Sequence, residues 1–108
     1  MLILLAVAIV LLLYVEIAYG NPEGGVIAGG VASIDSSDPN KLVITQTSDK
    51  AIIDWRSFNI SVNQSTHFTQ PSKDSITLNR VGGDFVSQID GSLTANGNLI
   101  IVNPNGII

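Results

Sequence analysis

The sequence predicts an all-β chain, wound as the stacked coils of a parallel β-helix and preceded by a cleaved leader. Three observations carry this. Strand-length runs rich in β-branched and aromatic residues follow one another from Lys41 onward. Gly, Asn, Asp, Ser and Pro punctuate them at intervals of roughly ten residues, with no helical period anywhere after Asn21. The stretch from Gly91 to Gly106 alternates very short apolar segments with Asn-centred corners, as stacked coils do.

The elements follow in chain order. Leu2 to Val15 is apolar apart from Tyr14, and Glu16 closes the run. It fits a signal-peptide core of ~7–15 residues and falls short of the ~20 needed to cross a bilayer. Ala18-Tyr19-Gly20 places small residues where a signal peptidase reads them, so residues 1–20 are expected to be removed and residues 21–108 to form the mature segment. No Lys or Arg precedes the apolar run, which places the expected true start upstream.

Strands are expected at Leu42–Gln46, Ala51–Trp55, Thr66–Thr69, Ser75–Leu78, Phe85–Ile89 and Leu99–Val102. Alternation puts Leu42, Ile44 and Gln46 on one face, Ile76 and Leu78 on another, and Phe85, Ser87 and Ile89 on a third. Ile53, Trp55, Ile76, Leu78, Phe85, Ile89, Leu93 and Ile101 are the expected buried set. Pro39, Pro71 and Pro104 fall between runs, where a missing amide donor does not interrupt a ladder. Asn96-Gly97 and Asn105-Gly106 occupy turn positions, where Asn and Gly accept left-handed backbone. Local pattern alone fits a β-sandwich as well as a solenoid. The late segment and the leader favour the solenoid, although no strict internal repeat is visible.

Composition narrows the function. The chain is 13% charged and 45% hydrophobic, unlike a disordered tail. Five Lys and Arg against nine Asp and Glu give a net charge of −4, which excludes the basic footprint of a nucleic-acid binder. With no cysteine there is neither a disulfide framework nor a thiolate metal site. The single histidine, His67, lies in a polar-apolar alternation opposite Phe68, without a cysteine or a nearby partner to make it a ligand or general base. Asp35 with Asp38, and Asp84 with Asp90, sit among turn formers. Gly82-Gly83-Asp84 matches the opening of a calcium-binding nonapeptide, but no second repeat follows. Catalytic residues, metal and cofactor are therefore expected to be none. Asn59-Ile60-Ser61 and Asn63-Gln64-Ser65 are formal glycosylation acceptors that read as strand-end and turn residues.

From Ala51-Ile52-Ile53-Asp54-Trp55-Arg56-Ser57-Phe58-Asn59-Ile60 onward several motifs occur in order: Phe68-Thr69-Gln70-Pro71-Ser72, Leu78-Asn79-Arg80-Val81, Ser87-Gln88-Ile89-Asp90-Gly91-Ser92-Leu93, Asn96-Gly97 and Asn103-Pro104-Asn105-Gly106-Ile107. Together they resemble the haemagglutination-activity, or two-partner secretion, domain at the N-terminus of filamentous haemagglutinin-like adhesins. The resemblance covers about Gly24 to Ile108. It implies a right-handed parallel β-helix with an N-terminal cap. It also implies a Gram-negative protein secreted through the periplasm to the cell surface, recognised by an outer-membrane β-barrel transporter with POTRA domains.

Within that family Asn103, Pro104, Asn105, Gly106 and Ile107 correspond to the motif tied to secretion. Trp55, Phe58, Asn79, Arg80, Val81, Asn96 and Gly97 correspond to positions that read mainly as structural. A second Asn-Pro-Asn element carried upstream by some members is absent here. The family's domain is also longer, so this chain is expected to be partial, with downstream regions meeting a host or neighbouring cell as adhesin, cytolysin or contact-dependent toxin. A β-helical polysaccharide-acting enzyme and a membrane-tethered binding domain are the alternatives. Trp55 and Phe58 fit a core better than a sugar-stacking platform. Arg80 pairs with Asp54 or Asp84, or marks a surface read by the transporter. The Asn-Pro-Asn-Gly turn is a corner, a signal, or both.

Overall fold

The computed structural model describes residues 20–108; the expected leader core, Leu2–Val15, lies outside the described residues. Eight strands follow: β1 (Val26–Gly29), β2 (Ala32–Asp38), β3 (Lys41–Gln46), β4 (Lys50–Trp55), β5 (Ser65–Thr69), β6 (Ile76–Val81), β7 (Ser92–Ala95) and β8 (Asn98–Val102). Among the described residues there is no helix. The strands form two sheets, ordered β1-β4-β6-β8 and β2-β3-β5-β7.

From β3 onward successive strands fall alternately in the two sheets, and neighbours within each sheet are parallel, with Lys41 opposite Ser65 and Ser65 opposite Ser92. In the other sheet Lys50 lies opposite Ile76, and Ile76 opposite Asn98. A third side is held by two single parallel bridges, Ile60 to Ile89 and Ser87 to Ile107. The chain therefore winds three times past the same sides. The first coil is closed by reversed strands: β1 runs antiparallel to β4, and β2 antiparallel to β3. The β2–β3 turn is made by its own carboxylates, since Asp35 accepts the Ser37 amide and Asp38 the Asn40 amide, each at 2.9 Å. The first of these bonds, with the Ser37 hydroxyl, holds the Asp35 carboxyl below its ordinary pKa.

The core lies between the sheets. Leu42, Ile44 and Gln46 point inward as expected, with Ile53, Trp55, Phe58, Ile60, Phe68 and Val81. Trp55 and Phe58 meet edge to face, ring centroids 5.6 Å apart. Ile89, Leu93 and Ile101 are half-buried against this cluster.

Two expected faces are wrong. In β6 Thr77 and Asn79 point inward with Val81, while Ile76 and Leu78 are half-buried on the outer side in register with Lys50 and Ile52. Alternation in β6 is equally clean for both faces. The polar set wins because it has partners inside: Asn79 accepts the Trp55 indole N–H at 2.9 Å, and Thr77 bonds Gln46 and Gln70. The second correction is Phe85, which is 81% exposed. No strand spans Phe85–Ile89, because the chain turns after Gly82-Gly83 and regains pairing only at the bridges of Ser87 and Ile89. β1, β2 and β7 lie outside the runs that composition picks out, being short or rich in Gly, Ser and Asp.

One side of the stack has a polar corner. Gln46 ends β3, and its carboxamide donates to the carbonyls of Ser48, Asp49 and Ile76. Gln70 follows β5 and donates to the Thr77 hydroxyl and to Asn98 O, both at 2.9 Å, while its Oε1 accepts the Gly97 amide at 2.7 Å. Each glutamine thus ties its own coil to the next.

Asn79→Ala is expected to lower unfolding free energy by about 2–3 kcal/mol, since it strands the buried Trp55 N–H and a bond to Ile100 O. Arg80→Ala, one residue on, is expected to leave the urea midpoint nearly unchanged, because the Arg80–Asp54 pair is about half exposed. Equal midpoint shifts in the two variants would refute this division of roles.

Candidate functional site

The Asn103–Gly106 turn follows β8. Pro104 fixes one backbone angle, Asn103 Oδ1 accepts the Asn105 amide at 2.9 Å, and the Gly106 amide returns to Asn103 O at 3.0 Å. Gly106 has φ +107°, backbone that a side chain rarely adopts. The chain leaves the turn along the third side, where Gly106 O accepts the Ser87 amide, Ser87 O accepts the Ile108 amide and Ile108 O accepts the Ile89 amide.

Both asparagine side chains reach back to the preceding coil. Asn103 Nδ2 donates to Phe85 O at 3.0 Å and to Ser87 Oγ at 2.9 Å; Asn105 Nδ2 donates to Gly83 O at 2.7 Å. The turn is therefore a clasp over residues 83–87. Pro104, Asn105 and Ile107 remain exposed, and the motif contains no titratable side chain.

The other expected positions separate into two groups. Trp55, Phe58, Asn79 and Val81 are buried together, which removes the aromatic faces from any sugar platform. Arg80 pairs with Asp54, not Asp84, through two bonds of 2.6 and 3.0 Å, and these raise its pKa further. Asn96 and Gly97 sit in the polar corner. Asn96 accepts the Gln70 amide at 2.6 Å and donates to Gln70 O at 2.7 Å, and a Cβ on Gly97 would come within 2.7 Å of Gln70 Oε1. Neither residue is left-handed, so close approach rather than backbone sign selects glycine there.

His67 lies on the outer face, its Nδ1 2.6 Å from Thr94 Oγ1. Among the described residues no three of His, Cys, Asp or Glu are grouped as metal ligands. Sequence reasoning missed the buried polar residues Gln70, Ser75 and Thr77. A signal existed: Thr45-Gln46-Thr47-Ser48 and Thr69-Gln70-Pro71-Ser72 share Thr-Gln-x-Ser, and Thr45 pairs with Thr69.

A reversed-strand cap on parallel coils, with an asparagine clasp on one flank, defines a stacked-coil all-β domain. The chain belongs to the TPS secretion domain family, the two-partner secretion domain, whose model matches residues 28–108. It is 40% identical over 104 residues to a heme/hemopexin-binding protein of Haemophilus influenzae strain Rd, covering 93% of this chain and 11% of that protein. It is 46% identical over 79 residues to another heme/hemopexin-binding protein of Haemophilus influenzae, covering 73% of this chain and 8% of the relative. The crystal structure of the HMW1 secretion domain from Haemophilus influenzae superposes with a TM-score of 0.75 at 38% identity, over 81% of this chain and 23% of that one. This chain thus spans a small fraction of the relatives it matches.

Gly106→Ala is expected to cost roughly 1–3 kcal/mol through forced left-handed backbone. Because Gly106 O holds the Ser87 amide, hydrogen exchange at Ser87 and Ile89 should quicken while β3 and β5 amides keep their protection. Unchanged exchange on the third side would show that the turn does not brace it.

Proposed function

We propose that this chain is the export module of a large secreted protein. Residues 1–20 direct it to the periplasm and are removed. Residues 21–108 begin a right-handed parallel β-helix that an outer-membrane β-barrel transporter recognises through its periplasmic POTRA domains. The observation that carries the reading is the secretion-domain match over residues 28–108, and the clasp built by Asn103 and Asn105 inside it supports a role for the motif. The passenger's own activity, on a host or neighbouring cell or on an extracellular ligand, belongs to downstream sequence; matches over 8% and 11% of two heme/hemopexin-binding proteins concern the export module.

A polysaccharide-acting enzyme is disfavoured, because it needs a cluster of opposed carboxylates. Here Asp35 and Asp38 bond their own turn, Asp54 binds Arg80, Glu23 binds Arg56 and Asp49 accepts the Ser75 hydroxyl.

The leader assignment predicts a mature N-terminus at Asn21. It is supported by the part the first mature residues take in the cap, where Asn21 Oδ1 accepts the Thr66 hydroxyl and Pro22 is buried. Mass analysis of the exported protein is expected to find Asn21 first; a product retaining Leu2–Val15 would favour the tethered domain instead.

For the motif, Asn103→Ala and Asn105→Ala are each expected to reduce secretion steeply in cells expressing the whole protein with its transporter. The expected stability loss is about 1 kcal/mol per lost bond, too small to empty the folded population by itself. Secreted and periplasmic protein are measured beside urea unfolding of the purified protein. Normal secretion of both variants would leave the motif as a corner only.

A further inference from the structure

Phe85 is out of place for a large aromatic. Phe58 and Phe68 are fully buried, whereas Phe85 is 81% exposed. Burying such a side chain is worth about 1.5–3 kcal/mol, so a loop free to move would fold it inward. This segment is not free. The Gly82 amide donates to Trp55 O at 2.9 Å in the coil before. Gly83 lies so close to that coil that a Cβ would come within 2.5 Å of Arg56 O. From the coil after, Asn105 Nδ2 holds Gly83 O and Asn103 Nδ2 holds Phe85 O. Ser87 is buried and bonded to Asn103. Phe85 is therefore clamped from both sides with its ring outward. Val86, 36% exposed, and Ile107, 45% exposed and bridged to Ser87, extend the apolar surface, and Asp84 and Asn105 lie exposed beside it.

The occupied bonds of the clasp bear on recognition. Asn103 uses both its carboxamide groups inside the protein, and Asn105 uses its Nδ2 there. A partner that depends on these asparagines meets mainly what they hold in place. Building on the export reading above, we propose that Phe85 is the aromatic anchor that inserts into an apolar pocket on the periplasmic side of the transporter, and that Asn103 and Asn105 are positioning residues that present it. Rigid presentation lowers the ordering cost of binding, and exposed aromatics on fixed backbone are the usual centres of interface energy. Among the described residues the other large exposed apolar side chains, Val26, Val31, Ile100 and Val102 among them, are aliphatic, and scattered exposure of that kind is ordinary.

The test uses the whole exported protein and its purified transporter. Phe85→Ala is expected to weaken transporter binding roughly thirtyfold, the loss that accompanies truncation of an interface anchor, and to lower secretion, with the urea midpoint unchanged. Phe85→Trp is expected to retain binding. The double variant Phe85→Ala/Asn103→Ala is expected to bind no more weakly than the worse single variant, because both remove one contact. Normal binding and secretion of Phe85→Ala would overturn the proposal. So would a lowered midpoint, which would make Phe85 a packing residue in the whole protein, and so would additive losses in the double variant. If the asparagine variants lose export while Phe85→Ala does not, the export reading stands and this inference falls; if neither affects export, the role of the motif falls as well.

Discussion

Every coil of this protein must meet the next at one fixed residue, and the polar corner enforces that. Parallel ladders by themselves tolerate slippage, and a slip of one residue would exchange the inner and outer faces of a strand. In β6 such a slip would turn Arg80 inward. Gln46 and Gln70 oppose it because their carboxamides are buried and each needs particular partners in the following coil: Ile76 O and the Thr77 hydroxyl for the first, and the Gly97 amide and Asn98 O for the second. A displaced register would leave several of these groups unsatisfied at once, at about 1–3 kcal/mol each. The corner therefore specifies alignment, while Ile44, Ile53, Phe58 and Phe68 supply the apolar burial.

Much of the architecture was legible because strand chemistry is local. The runs at Leu42–Gln46, Ala51–Trp55 and Leu99–Val102 are β-branched and bounded by turn formers, and each lies in a strand. Face assignment was less legible. Ile76-Thr77-Leu78-Asn79 alternates equally well either way, and only the Trp55 indole and the two glutamines, distant in sequence, decide that Thr77 and Asn79 go inside. Phe85 failed for the same reason, since the groups that hold its backbone outward come from Trp55, Asn103 and Asn105. Arg80 was open between two carboxylates until register placed Asp54 opposite it. The turn motif was recognisable as a string of residues, but its hold on Gly83, Phe85 and Ser87 required the stacking of coils. The strands β1 and β2 escaped notice because Gly, Ser and Asp are poor strand formers, and their pairing partners supply what propensity lacks.

A secretion-family domain without cysteine shows here how side chains can substitute for covalent staples. Asparagine and glutamine suit the task because each carries a donor and an acceptor on one short planar group and can match a backbone amide and carbonyl together. Asn96 does so with Gln70. Asn98 clips the carbonyls of Lys73 and Ser75, and Asn59 takes the Gln88 amide. The asparagines that punctuate the sequence are thus ties between turns of the stack more than solvated loop residues.

The reversed strands at the head of the stack have a consequence for assembly. A run of parallel coils would otherwise present unpaired backbone at both of its ends. Here β1 and β2 lie over the first coil with opposite chain direction, and β2 carries Asp35 and Asp38 beside a break in its pairing, which discourages another strand from joining that edge. A strand approaching the β2 edge would meet these carboxylates and the irregular pairing beside them. The stack thus carries its own start marker, laid down by β1 and β2 before the parallel coils begin.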